Sequence, residues 1–206
     1  MQEIKDLNAY RTSLKDKILD AAIVAFRTHG VRAVKMDDIA QSLSISKRTL
    51  YEIYGDKESL LFSCIKKQHE LKQLYITEYA QTHNVIEVVA EAYRRNVERL
   101  RDVNYLFYED IQRYPDIVKF MEDEHAKNHE NFLSFMQCGV KEGYFRKDVN
   151  FELIHQLFDM IGENVVKKGL YTRYPYDELL ANLLLVPFRG ICTTKGLKAL
   201  ELSIQK

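Results

Sequence analysis

Apolar residues recur at helical spacing along almost the entire chain, and nowhere do they settle into the apolar–polar alternation of a half-buried strand. The clearest stretch, about Thr12–His29, sets Leu14, Ile18, Ala21, Ala22, Ala25 and Phe26 on one stripe. A chain that offers only such stripes must bury them helix against helix. Three prolines and eight glycines in 206 residues leave too few breaks for a turn-rich β fold, and they exclude collagen-like and low-complexity classes. The fold class expected is all-α.

Glycines and capping residues divide the pattern into about nine helices. Gly30 closes the first. A short helix, about Met36–Leu43, buries Met36, Ile39, Ala40 and Leu43; a turn at Ser44-Ile45 follows, and Ser46 caps a second short helix over about Lys47–Ile53. Gly55 is the next break, and Asp56 caps a long helix from Lys57 to near Ala80. Asn84 and Glu87 read as a capping box that opens a helix to about Arg101. Further helices are read over about Asn104–Arg113, residue 116 to about Glu142, Asn150 to about Lys168 and Tyr176–Lys195, with a kink expected at Pro187. The tightly punctuated start and the long antiparallel remainder suggest two domains, residues 1–56 and 57–206.

Thirty Lys+Arg against thirty Asp+Glu give no net charge, which excludes a protein that grips a polyanion by bulk charge. Over residues 1–62 the count is ten basic against nine acidic, so placement would have to carry any nucleic-acid contact. Cys64, Cys138 and Cys192 are widely spaced, form no C-x-x-C and read as small buried hydrophobes in a reducing compartment. The charged start Met1–Leu7 lacks the apolar core of a leader. The greasiest run, Leu179–Phe188, is interrupted by Asn182 and too short for a membrane helix. A cytoplasmic protein with no membrane partner is expected.

The two short helices over residues 36–53 have the arithmetic of a helix-turn-helix, whose second helix enters the DNA major groove. Most corners of this size are packing alone. Here Ser46-Lys47-Arg48-Thr49 set two cations and two hydroxyls in the first turn of the second helix, against its macrodipole. A helix that gives up stability in this way has an anion to meet, and Lys57 repeats the pattern at the next helix start.

The run Phe26-x3-Gly30-x8-Ile39-Ala40-x2-Leu43-x-Ile45-Ser46-Lys47-x-Thr49-Leu50-Tyr51-x2-Tyr54-x2-Lys57-Glu58-x-Leu60 resembles the DNA-binding domain of the TetR/AcrR family of bacterial transcriptional regulators. Gly143-Tyr-Phe-Arg-x-Asp148 is similar to the family's loop before its last two helices. The resemblance implies a homodimer of all-helical subunits. Each would pair an N-terminal three-helix domain carrying the helix-turn-helix with a C-terminal antiparallel helical ligand-binding and dimerisation domain. It implies a ligand-responsive repressor that binds double-stranded palindromic operator DNA and answers to an unidentified small molecule. It also implies that Lys47, Arg48, Thr49 and Tyr51 face DNA next to Ser46, that Lys57 meets phosphate, and that Leu50 and Ile45 are core. Three positions depart from the family pattern. Lys35 replaces the usual Ser/Thr cap and could meet a phosphate instead. Ser44 replaces the usual Gly of a turn at φ > 0. Glu52 stands where His or Arg is frequent; it either accepts from a cytosine amino group or pairs with Arg48 four residues earlier.

Tyr93, Tyr105 and Tyr108, on adjacent helices, are candidates to line the cavity that the resemblance implies, since a buried Tyr needs a partner for its hydroxyl. Phe151, Ile154, Phe158, Ile161 and Val165 make a heptad-like seam, and Leu179, Leu183, Val186 and Gly190 a second stripe. One subunit cannot easily cover both, so they are expected to form a four-helix dimer interface across a two-fold axis. His125 and His129, with Glu122 a turn earlier, have the spacing of a helical metal pair, but their polar surroundings read as a solvated face. No metal site or cofactor is expected. The chain has no P-loop, nucleophile elbow or dinucleotide fingerprint and is not expected to be an enzyme. A second class of function stays open, because of Lys35, Ser44 and the near-neutral N-terminal region. It is a helical small-molecule-binding or protein-interaction dimer that has lost DNA recognition.

Overall fold

The computed structural model describes the backbone of residues 2–101 and 103–205 and the side chains of residues 11–99, 101 and 103–205. The side chains of the charged start Met1–Leu7 lie outside the described residues. Among the described residues the chain is helical almost throughout, and an isolated antiparallel bridge between Phe145 and Cys192 is its one β feature. No described helix is long and apolar enough to cross a membrane. The chain divides into two compact units, Met1–Lys72 with Val103–Phe120, and Gln73–Asp102 with Met121–Lys206.

The first unit contains α1 (Gln2–His29), α2 (Met36–Ser42), α3 (Lys47–Tyr54), the start of α4 (Lys57–Ala80), α6 (Tyr105–Ile111) and the start of α7 (Pro115–Lys127). Its core gathers the inward stripes of all six, with Ile18, Phe26, Ile39, Leu50, Leu60, Leu61 and Ile117 nearly or wholly inaccessible to solvent. Gly30 ends α1 at φ 82°, and Asp56 starts α4 by accepting the Ser59 N–H at 2.7 Å. Packing divides the chain later than the 56/57 boundary read in the sequence. Leu60, Leu61 and Cys64 of α4 lie in the first core, and α6 is pinned to the end of α1. The Asn104 N–H donates to the Arg27 carbonyl at 2.8 Å, and the Arg32 N–H donates to the buried Asp110 carboxylate at 2.8 Å.

The second unit holds α5 (Val85–Arg101), α8 (His129–Lys141), α9 (Phe151–Lys167), a long helix over 176–191 and α12 (Thr194–Ile204). Its core is built on Ile86, Met136, Phe145, Phe188, Ile191 and Leu200. The capping box at Asn84 forms as read: the Asn84 N–H donates to Glu87 at 3.0 Å, and the Asn84 side chain accepts the Ile86 and Glu87 N–H groups. The Phe145–Cys192 bridge is possible because two neighbouring helices come close. A Cβ at Gly139 would overlap the Phe145 ring, and one at Gly196 would overlap the Tyr144 carbonyl.

Three elements differ from the sequence reading. The helix read over residues 116–142 divides at Asn128 into α7 and α8. The last long helix ends at Ile191, and α12 follows it, capped by Thr193 accepting the Gly196 N–H. At Pro187, where a kink is expected, the helix continues but not as one regular α-helix. Pro lacks the N–H that Leu183 would accept, and the slack is taken up by a π turn, Leu180–Leu185, between α10 (Tyr176–Leu179) and α11 (Val186–Ile191).

Candidate nucleic-acid interface and cavity

The turn between α2 and α3 has the strained geometry its sequence requires. Ser44 sits at φ 52°, and among the described residues it is the one non-glycine at positive φ. Ile45 N–H returns to the Ala40 carbonyl at 3.0 Å, closing the turn. Ser46 then caps α3 by accepting the Thr49 N–H at 3.0 Å, and its hydroxyl meets that of Thr49 at 2.8 Å. Leu50 is fully buried, and this fixes the rotation of α3: Lys47, Arg48, Tyr51 and Glu52 turn outward, with Thr49 half-buried beside them.

Both outward cations are paired. Lys47 Nζ lies 2.9 Å from Asp37 on α2 and 5.8 Å from the centre of the Tyr51 ring. Arg48 Nε donates to Glu52 at 2.7 Å, so the i,i+4 pairing is the one observed. Surface pairs of this kind are weak and exchange readily for a phosphate or a base edge. Lys35 is the N-cap of α2 and exposed; an ammonium cannot accept a hydrogen bond, so it caps nothing, and Asp38 instead accepts the Lys35 N–H at 2.8 Å. Lys57 is held at the start of α4 by the chain itself. Its ammonium donates to the Val31 and Val34 carbonyls at 3.0 and 3.1 Å, tying the α1–α2 connection to the start of α4. Two of its three N–H groups are thereby engaged.

A cavity of about 330 Å³ lies within the second unit, at the low end of the range for small-molecule sites. Its walls come from α5, α8, α9, the π turn and α11, chiefly Val89, Phe132, Phe135, Phe158, Leu184 and Phe188. Tyr93 lines it. Tyr105 and Tyr108 do not, because α6 belongs to the first unit. There Tyr105 is exposed and Tyr108 packs against the α1 core, edge-on to Phe107 at 5.6 Å.

The polar residues of the lining are Tyr93, Asn96, Asn128 and a cluster of His125, His155 and Asp159. His125 Nε2 lies 2.5 Å from one Asp159 oxygen and His155 Nδ1 lies 3.0 Å from the other. His129 is not part of this pair of contacts; its Nε2 meets Glu152 at 3.1 Å, and its ring stands edge-on to His155 at 4.6 Å. The grouping read in the sequence, Glu122 with His125 and His129, is therefore replaced by one that draws on α9. The signal was present: His155 and Asp159 are polar residues four apart on a helix whose neighbouring positions 151, 154 and 158 are apolar.

The expected dimer stripes are only partly outward. Phe151, Ile154 and Phe158 pack on the core of their own unit, and Ile161 and Val165 are half-buried. On the second stripe Leu179 is buried, Leu183 half-buried, and Val186 and Gly190 exposed. The exposed apolar side chains of α9 are instead Leu153 and Met160, at 60% and 56%. A Cβ added at Gly162 or Gly190 would meet nothing within 4 Å. Cys64 and Cys192 are buried, and burial pushes their thiols up to about 12 and about 11, so they are unreactive; Cys138, read as buried, is exposed.

A profile of the bacterial regulatory proteins of the TetR family matches residues 18–64, the span from mid-α1 into α4. The HTH-type transcriptional repressor KstR2 of Mycobacterium tuberculosis (strain CDC 1551 / Oshkosh) is 23% identical over 150 residues, covering 70% of this chain and 75% of its own. A transcriptional regulator from Saccharomonospora viridis, solved in complex with choline, is similar in fold with a TM-score of 0.66 at 16% identity, over 88% of this chain and 99% of the other. The TetR family protein CprB of S. coelicolor A3(2) gives a TM-score of 0.64 at 15% identity, over 96% of this chain and 99% of its own.

Proposed function

Since the chain belongs to the TetR family of bacterial regulatory proteins, we propose that it represses transcription in the cytoplasm. As a homodimer it holds a palindromic operator, and it lets go when a small molecule fills the cavity of its second unit. It acts as a regulator and not as an enzyme. The observation that carries this reading is the outward face of α3. Lys47, Arg48 and Tyr51 project from a helix whose rotation is fixed by buried Leu50 and whose first turn is capped by Ser46. Arg48 reads a base edge, with Glu52 holding its guanidinium in line. Lys35, Lys47, Thr49, Tyr51 and the remaining N–H of Lys57 position the helix on phosphates. KstR2 is named a repressor, and the S. viridis protein was solved with choline; both support a repressor that answers to a small molecule. Tyr93 and the apolar walls of the cavity suit a mainly apolar molecule with one polar end. Helices α4 and α7 each contribute residues to both units.

The test is fluorescence anisotropy on the DNA upstream of the chain's own gene, at several salt concentrations. Sequence-specific binding is expected, with Arg48→Ala weakening it roughly ten- to hundredfold and relaxing preference at one base pair per half-site. Equal affinity for operator and random DNA would sink the reading. The pairing of both cations with carboxylates favours one alternative, a helical small-molecule-binding or protein-interaction dimer without DNA recognition, and that result would support it.

A further inference from the structure

We propose that His125, His155 and Asp159 bind a divalent transition-metal ion of zinc type, with its remaining coordination position opening into the cavity. The three side chains come from two helices and converge with their ligand atoms foremost. One ligand atom from each residue lies within 4.8 Å of the others. A tetrahedral ion with bonds of about 2.1 Å holds its ligands roughly 3.4 Å apart. That spacing falls between the 2.5 and 3.0 Å contacts to Asp159 and the outer limit of the group.

The donor set selects the ion. Two imidazoles and one carboxylate suit zinc, cobalt or nickel; calcium and magnesium prefer oxygen alone, and no thiolate is present to favour copper(I). The surroundings strengthen the site. His155 has only 12% of its side chain exposed and is flanked edge-on by the Phe132 ring at 5.0 Å. On that side the apolar ring keeps water from competing with the ligands, while His125, 60% exposed, holds the solvent edge of the group. The second imidazole–carboxylate pair, His129 with Glu152, lies directly beside it.

All three ligands line a mostly apolar cavity, which Tyr93, Asn96 and Asn128 also border, so three protein bonds leave an open position facing it. A carboxylate or similar anionic end of a mainly apolar molecule would complete the coordination. This last step rests on the cavity being the effector site; metal binding itself does not, and it is measured without DNA, so either reading can fail alone.

The full-length chain, treated with EDTA and dialysed, is titrated with Co2+ while visible absorption is followed. One saturable site per chain is expected, with the spectrum of low-coordinate cobalt, bleached by Zn2+ and untouched by Mg2+. Asp159→Asn, His125→Ala and His155→Ala should each weaken binding at least about tenfold. His83→Ala, which removes a histidine stacked on Tyr79 away from the group, should leave it unchanged. Acetate should alter the wild-type cobalt spectrum if the open position accepts a carboxylate. Circular dichroism checks that each variant is folded. No cobalt spectrum from the wild type, or equal binding by wild type and Asp159→Asn, would mean that the three residues are only a hydrogen-bonded cluster sharing protons, and the proposal would fall.

Discussion

Ser44 shows how much a single residue can disclose. Its serine hydroxyl is dispensable to the turn, whereas its φ of 52° is not, because the chain must reverse between α2 and α3 within four residues. An L-residue with a Cβ is strained there by about 1 kcal/mol relative to glycine. Ser44→Gly should therefore stabilise the protein by up to ~1 kcal/mol, read as a higher midpoint in urea, with operator preference unchanged. A lower midpoint would show that the gain in unfolded-state freedom outweighs the relieved strain. The position was legible because turn chemistry is local. The intramolecular contacts of Lys57 were not: its partners are two carbonyls from Val31 and Val34, more than twenty residues earlier, and no side-chain pattern announces an available carbonyl. Arg48 and Glu52, four apart on one helix, pair as their spacing requires.

At the scale of elements most capped helices were legible, though α12, capped by Thr193, was read as the tail of the helix before it; breaks made by side chains were not legible. Asn128 keeps helical backbone angles, but its side-chain amide donates to the Glu124 carbonyl at 2.8 Å, the acceptor that its own N–H would have used. Neither glycine nor proline marks that break. A second device of this kind joins α4 to α5 within the second unit. Glu91, buried, accepts from Tyr75 at 2.6 Å, from Arg95 at 2.7 Å and from Arg94 at 2.5 Å, and the Arg95 guanidinium lies 3.2 Å over the Tyr75 ring. Burial works to raise the Glu91 pKa, but these hydrogen bonds outweigh it and bring the carboxyl down to about 2. A folded-state pKa below the unfolded value contributes stability that is complete above about pH 4.5 and is lost as pH falls towards 2. Glu91→Gln should thus be less stable at pH 7 by about 1–3 kcal/mol, and the gap to wild type should close as pH is lowered through that window. Urea midpoints of both proteins at pH 7, 4 and 3 check this; a gap that stays constant would show that shape, and not charge, holds Glu91 in place.

For the whole molecule, the question is which side of α9 faces a second copy. The sequence offers two apolar sides, 151/154/158/161/165 and 153/157/160, and periodicity cannot rank them because both are apolar. Packing within the subunit decides. Phe151, Ile154 and Phe158 are used by the unit's own core and Phe158 also by the cavity, which leaves Leu153 and Met160 outward, seven residues apart on one face. On α11, Val186 is 54% exposed, with Gly190 a turn further on. Glycines at 162 and 190 leave open space at the helix surfaces, which lets another helix approach closely. The homodimer proposed for operator binding should therefore use the Leu153/Met160 side of α9 with Val186 and Gly190. Two copies related by a two-fold axis would bury each of these residues twice. Met160→Glu and Val186→Glu would each set two unpaired charges in that apolar contact. Sedimentation at micromolar concentration should show a dimer for the wild type and a monomer for each variant, with helix content retained. Binding to an operator with two half-sites should be lost at the same time, because half-sites one helical turn of DNA apart, about 34 Å, need two recognition helices on one body. A wild-type monomer would end the dimer reading altogether; variants that stay dimeric would move the interface to another face.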